Sequence, residues 1–185
     1  MADYTLAENA FPLGSQAPDF NLKGVDGQMY SLASFEEAKL LVVMAVCNHC
    51  PYVQAYWDRI KDLVSEFSER GIAFVGINAN DEVRYPGDSF EAMVATAAEL
   101  ELNFPYLRDE GQEIAKAYHM ERTPQFFVFD ESRQLRYTGG FDDSCRDVSL
   151  VKERPLVDAL EDLLADREVN KPVAHFIGCS VKWVE

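Results

Sequence analysis

The sequence predicts an α/β protein: a central mixed sheet flanked by helices. Three observations carry this. Leu40-Leu41-Val42-Val43-Met44-Ala45-Val46 is a continuous apolar run, the pattern of a strand buried on both faces. A long helical pattern follows it at once, and a strand-then-helix order repeats over residues 72–101. The grammar then changes to two strands around a short turn and a last helix, which adds antiparallel pairing to a parallel core.

The elements are justified in order. Residues 1–16 read as an N-terminal arm, 17–166 as the domain, and 167–185 as a tail that packs back on it. Asp19-Phe20-Asn21-Leu22 alternates, Asp26-Gly27 signals a turn, and Met29 to Leu32 returns, so 17–34 is an N-terminal β-hairpin. After the apolar run, Pro51 suits a first helical turn, where its missing N–H costs nothing. Val53, Tyr56, Trp57, Ile60, Leu63, Val64 and Phe67 recur at helical spacing, and Gly71 ends the pattern. Ile72 to Ile77 is the next strand, closed by the polar loop Asn78-Ala79-Asn80-Asp81. Residues 89–101 form an amphipathic helix through Phe90, Met93, Val94, Ala97 and Leu100. Phe104 to Leu107 is a short strand, and 111–118 a short helix. Gln125 to Phe129 and Leu135 to Thr138 form a hairpin around Glu131-Ser132-Arg133. The last helix spans about 153–165, with Leu156, Leu160, Leu163 and Leu164 inward.

Composition bounds the function. The chain of 185 residues carries 32 acids against 17 bases, a net charge of −15. Nucleic acid and anionic membrane surfaces need clustered Lys and Arg, so neither is expected as a partner. No apolar stretch is long enough for a membrane span. The start lacks the basic-then-apolar pattern of a secretory leader, so a cytoplasmic home is expected. Four cysteines are too few for a disulfide scaffold and enough for a redox or metal site.

The main chemical signal is Cys47-Asn48-His49-Cys50-Pro51, where the buried strand meets the long helix. Cys-x-x-Cys in that context reads as a dithiol–disulfide site. A free thiol has a pKa of about 8.5, and unpaired N–H groups at a helix start lower it. His49 can add a donor or a positive charge, and Asn48 lies between the thiols with it. Cys47, at the strand end, is expected at the surface as the attacking thiol. Cys50, one turn into the helix, is expected to be shielded and to act as the resolver. The competing reading is zinc, with Cys145, His175 and Cys179 as further donors. It lacks a second Cys-x-x-Cys, so neither metal nor cofactor is expected. The other signal is Arg122-Thr123-Pro124 at a strand entry, one of the few contexts in which a cis X–Pro bond occurs.

These residues resemble the thioredoxin-like superfamily, and within it the redoxins grouped with alkyl hydroperoxide reductase and thiol-specific antioxidant proteins. Ala17-Pro18-Asp19-Phe20 with Leu22, Asp26-Gly27 and Ser31-Leu32 is similar to that group's N-terminal hairpin. Cys47 to Cys50 falls at the active-site position, and Thr123-Pro124 resembles the Thr–cis-Pro that faces the dithiol. Ile177-Gly178-Cys179-Ser180-Val181-Lys182-Trp183 is similar to a tail of a peroxiredoxin-like subgroup. The resemblance implies a thioredoxin-like fold, Cys47 as nucleophile, Cys50 as resolver, and a backbone edge at Pro124 left open for a partner peptide. Three positions depart from the pattern. Val46 replaces the usual Trp. The strand before the dithiol carries no buried Asp. Met44 stands where typical peroxiredoxins have Thr or Ser.

Arg122 is a candidate for supporting peroxide chemistry. Cys145 and Cys179 are candidate resolving thiols. Asn78, Asn80 and Asp81 are candidate partner contacts, and the carboxylates over 80–110 read mostly as a solvated face. The function expected is thiol–disulfide exchange with protein or small-molecule thiols and disulfides. The alternatives are a thiol peroxidase acting on peroxides through Cys47, and a non-enzymatic redox-sensing module.

Overall fold

A computed structural model describes residues 10–185; most of the expected N-terminal arm lies outside the described residues. The strands are β1 (Leu22–Gly24), β2 (Met29–Tyr30), β3 (Leu40–Ala45), β4 (Ile72–Asn78), β5 (Tyr106–Arg108), β6 (Arg122–Thr123), β7 (Gln125–Phe129), β8 (Leu135–Gly139) and β9 (Cys179–Ser180). The helices are α1 (Pro51–Ser68), α2 (Phe90–Glu99), α3 (Glu113–Ala117) and α4 (Pro155–Leu164). A 7-stranded sheet runs in the order β2-β1-β5-β4-β3-β7-β8. β3, β4 and β5 are parallel neighbours, while the β1/β2, β1/β5, β3/β7 and β7/β8 pairs are antiparallel.

The apolar run of β3 is continuous because each face of the sheet meets its own core. Leu40, Val42, Met44 and Val46 pack with the residues of α1, α2 and α4. Leu41, Val43 and Ala45 pack with Ala115, Tyr118 and the Phe127–Phe129 side. α1 buries Val53, Tyr56, Trp57, Ile60, Leu63, Val64 and Phe67. Burial stabilises each large side chain of this kind by roughly 1.5–3 kcal/mol. Gly71, at φ +85°, takes the left-handed turn that ends the helix and starts β4.

The differences from the sequence reading lie at the edges. Val94 is 39% exposed rather than inward, because α2 touches the body through Met93, Ala97 and Leu100. Leu163 and Leu164 are half-buried, since α4 ends as they are reached. The tail is more ordered than its irregular pattern suggests. Its strand β9 pairs antiparallel with β6, Thr123 facing Cys179 and Arg122 facing Ser180.

Candidate active site

The Cys47–Cys50 turn lies between the end of β3 and the start of α1. Cys50 is the N-cap of α1 and Pro51 its first residue. Sequence reasoning placed Cys47 at the surface and Cys50 a turn inside the helix. The structure corrects both points: each cysteine is 0% exposed, and Cys50 precedes the helix. Both cysteines join the core cluster of α1 and the sheet, and the tail sets Cys179 against Cys50 through β9.

A polar cluster from the β4 end fixes the turn. Asp88, fully buried, accepts at Oδ1 from the Asn48 N–H at 2.7 Å and from the His49 N–H at 3.3 Å. Its oxygens also accept from Asn78 Nδ2 at 3.3 Å and Asn80 Nδ2 at 2.8 Å. The other carboxylate oxygen contacts His49 Nδ1, and the His49 ring stacks on Tyr85 with centroids 5.0 Å apart. Asn48 donates to the Gly87 carbonyl at 2.9 Å and accepts from the Tyr106 hydroxyl at 2.9 Å. Its side chain therefore braces the turn rather than the thiolate. Asn78 and Asn80 are likewise buried and brace Asp88 rather than meeting a partner, and the buried Asp81 accepts from the Val83 N–H of its own loop at 2.9 Å. Asp88 and Asp109 are buried too, so the acids over 80–110 are not uniformly a solvated face.

Asp88 is the site residue that the sequence concealed. It sits on a short 3-10 turn, Pro86–Asp88, amid a run of acids that gives one carboxylate no mark over another. The available signal was the polar strand end Asn78-Ala79-Asn80-Asp81: buried amides there need a buried acceptor. Cys47 Sγ, a His49 ring nitrogen and an Asp88 oxygen lie within 4.8 Å of one another, and among the described residues they form a group able to offer donors to a metal. The Asp88 oxygens already accept four N–H donors and contact His49, an arrangement suited to holding the turn.

The thiols form a second cluster. Cys47 Sγ lies 3.3 Å from Thr123 Oγ1. Cys50 Sγ lies 3.1 Å from the Thr123 carbonyl and 2.9 Å from Cys179 Sγ. The Thr123–Pro124 peptide is cis. The edge expected to stay open beside it is occupied in this structure by the chain's own β9. Unpaired backbone groups at β6 find partners there, and Arg122 Nη1 donates to the Gly178 carbonyl at 2.9 Å. Arg122 thus ties down the tail. Cys145 is half-buried and turned to the Tyr52 carbonyl at 3.6 Å.

Electrostatics divides the dithiol unequally. The Cys50 thiol is lowered to about 4, chiefly by the hydrogen bond from Cys47; burial opposes this, and Cys179 with the backbone N–H groups of Val53 and Cys179 adds to it. Cys47 is pushed up by that same hydrogen bond, by burial and by the Asp88 charge. The Thr123 carbonyl acts against the Cys50 thiolate, because it accepts only from the protonated form. The start of α1 favours a thiolate at this turn, while the Asp88 charge disfavours one at Cys47. Cys179 is raised to about 12 by burial and by its bond and charge interaction with Cys50, while Lys182 and Arg122 act to lower it.

Comparison with known proteins agrees with the architecture. Residues 13–138 match the AhpC/TSA family model. The chain is 30% identical over 105 residues to the chloroplastic peroxiredoxin Q of Sedum lineare, covering 57% of this chain and about half, 52%, of that one. It is 26% identical over 141 residues to the thiol-disulfide oxidoreductase ResA of Halalkalibacterium halodurans, covering 75% and 73% of the two chains. An uncharacterized conserved protein from Geobacillus kaustophilus superposes with a TM-score of 0.90 at 41% identity, over 95% of this chain and 94% of that one. A hypothetical protein from Sinorhizobium meliloti 1021 gives 0.89 at 33% identity, over 95% and 97%. With its mixed sheet, flanking helices and family match, the chain has a thioredoxin-like fold and belongs to the AhpC/TSA family of redoxins.

Proposed function

We propose that the chain is a thiol–disulfide oxidoreductase whose working couple is the Cys47–Cys50 dithiol and disulfide. The observation that carries this reading is two thiols at the start of α1, both in contact with Thr123 beside the cis Pro124. The helix start stabilises one thiolate, and the second thiol is positioned to resolve what the first forms. A thiolate attacks one sulfur of a substrate disulfide, and a mixed disulfide forms as the first product thiolate leaves. The remaining cysteine then attacks the mixed disulfide, and the second product thiolate leaves. The protein is oxidised by two electrons and the substrate is reduced by two. We assign the opening attack to Cys50, whose thiol is the lowered one. Substrates are protein or small-molecule disulfides, and the reverse reaction oxidises a dithiol. A cytoplasmic setting fits a couple that is kept reduced between turnovers.

Two observations favour a second reading, a thiol peroxidase. Both thiols are buried, which admits a small peroxide more readily than a protein disulfide. The Thr123 hydroxyl beside Cys47 also supplies the group that Met44, fully buried in β3, lacks.

Stopped-flow mixing of pre-reduced protein with a model disulfide and, separately, with hydrogen peroxide tests both. The first reading expects the disulfide to oxidise the dithiol much faster than peroxide does. Fast sulfenate formation with slow disulfide exchange overturns it in favour of the second.

A further inference from the structure

Cys179 is a third thiol inside the site, carried there by the same strand that covers the β6 edge. Its Sγ lies 2.9 Å from that of Cys50. β9 holds it there by pairing with β6. Gly178 makes the approach possible: a Cβ at that position would lie 2.4 Å from the Thr123 carbonyl oxygen. The chain beyond is anchored as well. The Val181 N–H donates to the Glu121 carbonyl at 3.0 Å, and the Lys182 N–H to Asn80 Oδ1 at 2.8 Å. Cys47 and Cys50 are closed to solvent, whereas Cys179 is partly exposed. Cys179 therefore links Cys50 to the partly exposed tail.

We propose that Cys179 is a third redox cysteine, which exchanges with Cys50 to carry oxidation from the buried pair to the surface. The proposal rests on the reading of Cys47–Cys50 as a redox couple. In the exchange, the Cys179 thiolate attacks Cys50 Sγ of a Cys47–Cys50 disulfide. The Cys50–Cys179 bond forms, the Cys47–Cys50 bond breaks, and Cys47 leaves as thiolate. The proton lost by Cys179 is balanced by the one taken up at Cys47, so no oxidant is consumed. One thiolate of an external dithiol then attacks the partly exposed Cys179 Sγ, the Cys50–Cys179 bond breaks and Cys50 leaves as thiolate; the second thiol of the dithiol attacks its own sulfur in the mixed disulfide, releasing Cys179 and leaving the external partner as a disulfide, oxidised by two electrons.

The charge arrangement times the step. Burial and the bond and charge interaction with Cys50 hold the Cys179 thiol up. Once Cys50 enters a disulfide its contribution is gone; burial still opposes the Cys179 thiolate, while Lys182 and Arg122 favour it. Cys179 therefore ionises more readily when there is a disulfide for it to attack.

The test uses the full chain with Cys145→Ser, oxidised with one equivalent of diamide, quenched in acid and mapped by differential alkylation and mass spectrometry. The expected result is two linkages, Cys47–Cys50 and Cys50–Cys179. Adding Cys47→Ser should convert all of the disulfide to Cys50–Cys179. Adding Cys179→Ser instead should leave Cys47–Cys50 intact, with its reduction by a protein dithiol slowed at least tenfold. Cys47–Cys50 alone in the otherwise unaltered chain, with Cys50 and Cys179 both free in Cys47→Ser, overturns the relay and leaves the couple standing. Absence of any Cys47–Cys50 linkage in the Cys179→Ser protein overturns the underlying couple itself.

Discussion

Asp88 shows what one buried side chain does for the site. Removing its carboxylate in Asp88→Ala orphans the Asn48 N–H and the Asn80 amide, while the Asn78 amide keeps the Tyr106 hydroxyl, and each orphaned buried donor costs about 1–3 kcal/mol. Urea unfolding should show a loss of about 3 kcal/mol or more. Asp88→Asn retains an acceptor, so the loss should be smaller, while the charge that raises Cys47 disappears. Alkylation of Cys47 at neutral pH should then quicken; an unchanged rate in a folded Asp88→Asn protein contradicts the assigned role. The thiols make a pH prediction. The Cys50 pKa is depressed to about 4, against about 8.5 for a free thiol. A depressed acid stabilises the fold above its unfolded value and loses that contribution as pH falls through the folded one. The reduced protein should therefore lose stability from about pH 8.5 down to about 4 relative to the disulfide form. Cys47, pushed up in the fold, opposes the effect only near the top of that window, where an unfolded thiol begins to ionise, and is protonated in both states below it. Parallel pH–stability curves for the two forms contradict it. At this scale the sequence was half legible. Cys47, His49, Cys50, Thr123 and Pro124 announce themselves by motif. Asp88 does not, because its importance comes from burial, and burial is decided by the loop that folds it inward.

Two elements set the geometry. α1 is the support, and its apolar stripe was plain in the sequence because helical spacing and a buried face give the same signal. Ile60 is fully buried in that stripe. Ile60→Ala should cost about 2–5 kcal/mol by denaturant unfolding without altering the reactivity of the thiols in the folded protein. β9 is the cover, and it was not legible. Two residues carry too little pattern to declare a strand, and their partner strand β6 is equally short. In the sequence the Gly178-Cys179-Ser180 run stands out only by its likeness to a family tail. Its structural reason is the close approach at Gly178. Gly178→Val should push the tail off Thr123 and quicken alkylation of Cys50 and Cys179 severalfold. Unchanged alkylation in the folded variant contradicts the tail's covering role.

At the scale of the whole molecule, the sheet order brings the end of β3, the end of β4 and the start of β7 to one side. There the dithiol, its polar braces and Pro124 meet. The class of fold was legible because β3 is apolar on both faces and the strand–helix alternation is regular. The placing of Cys179 in the site was not, since it depends on a tail returning from the far end of the chain to the sheet's active edge. The charge of −15 still argues against polyanionic partners. Among the described residues no helix is long and apolar enough to cross a membrane. The central claim, a reversible Cys47–Cys50 couple, is tested most directly in a Cys145→Ser/Cys179→Ser chain equilibrated across glutathione redox buffers, with the linkage read by mass spectrometry. The account predicts a single two-electron transition, tenfold in the oxidised-to-reduced ratio per about 30 mV. Two thiols that remain free and alkylatable across the whole range would contradict it.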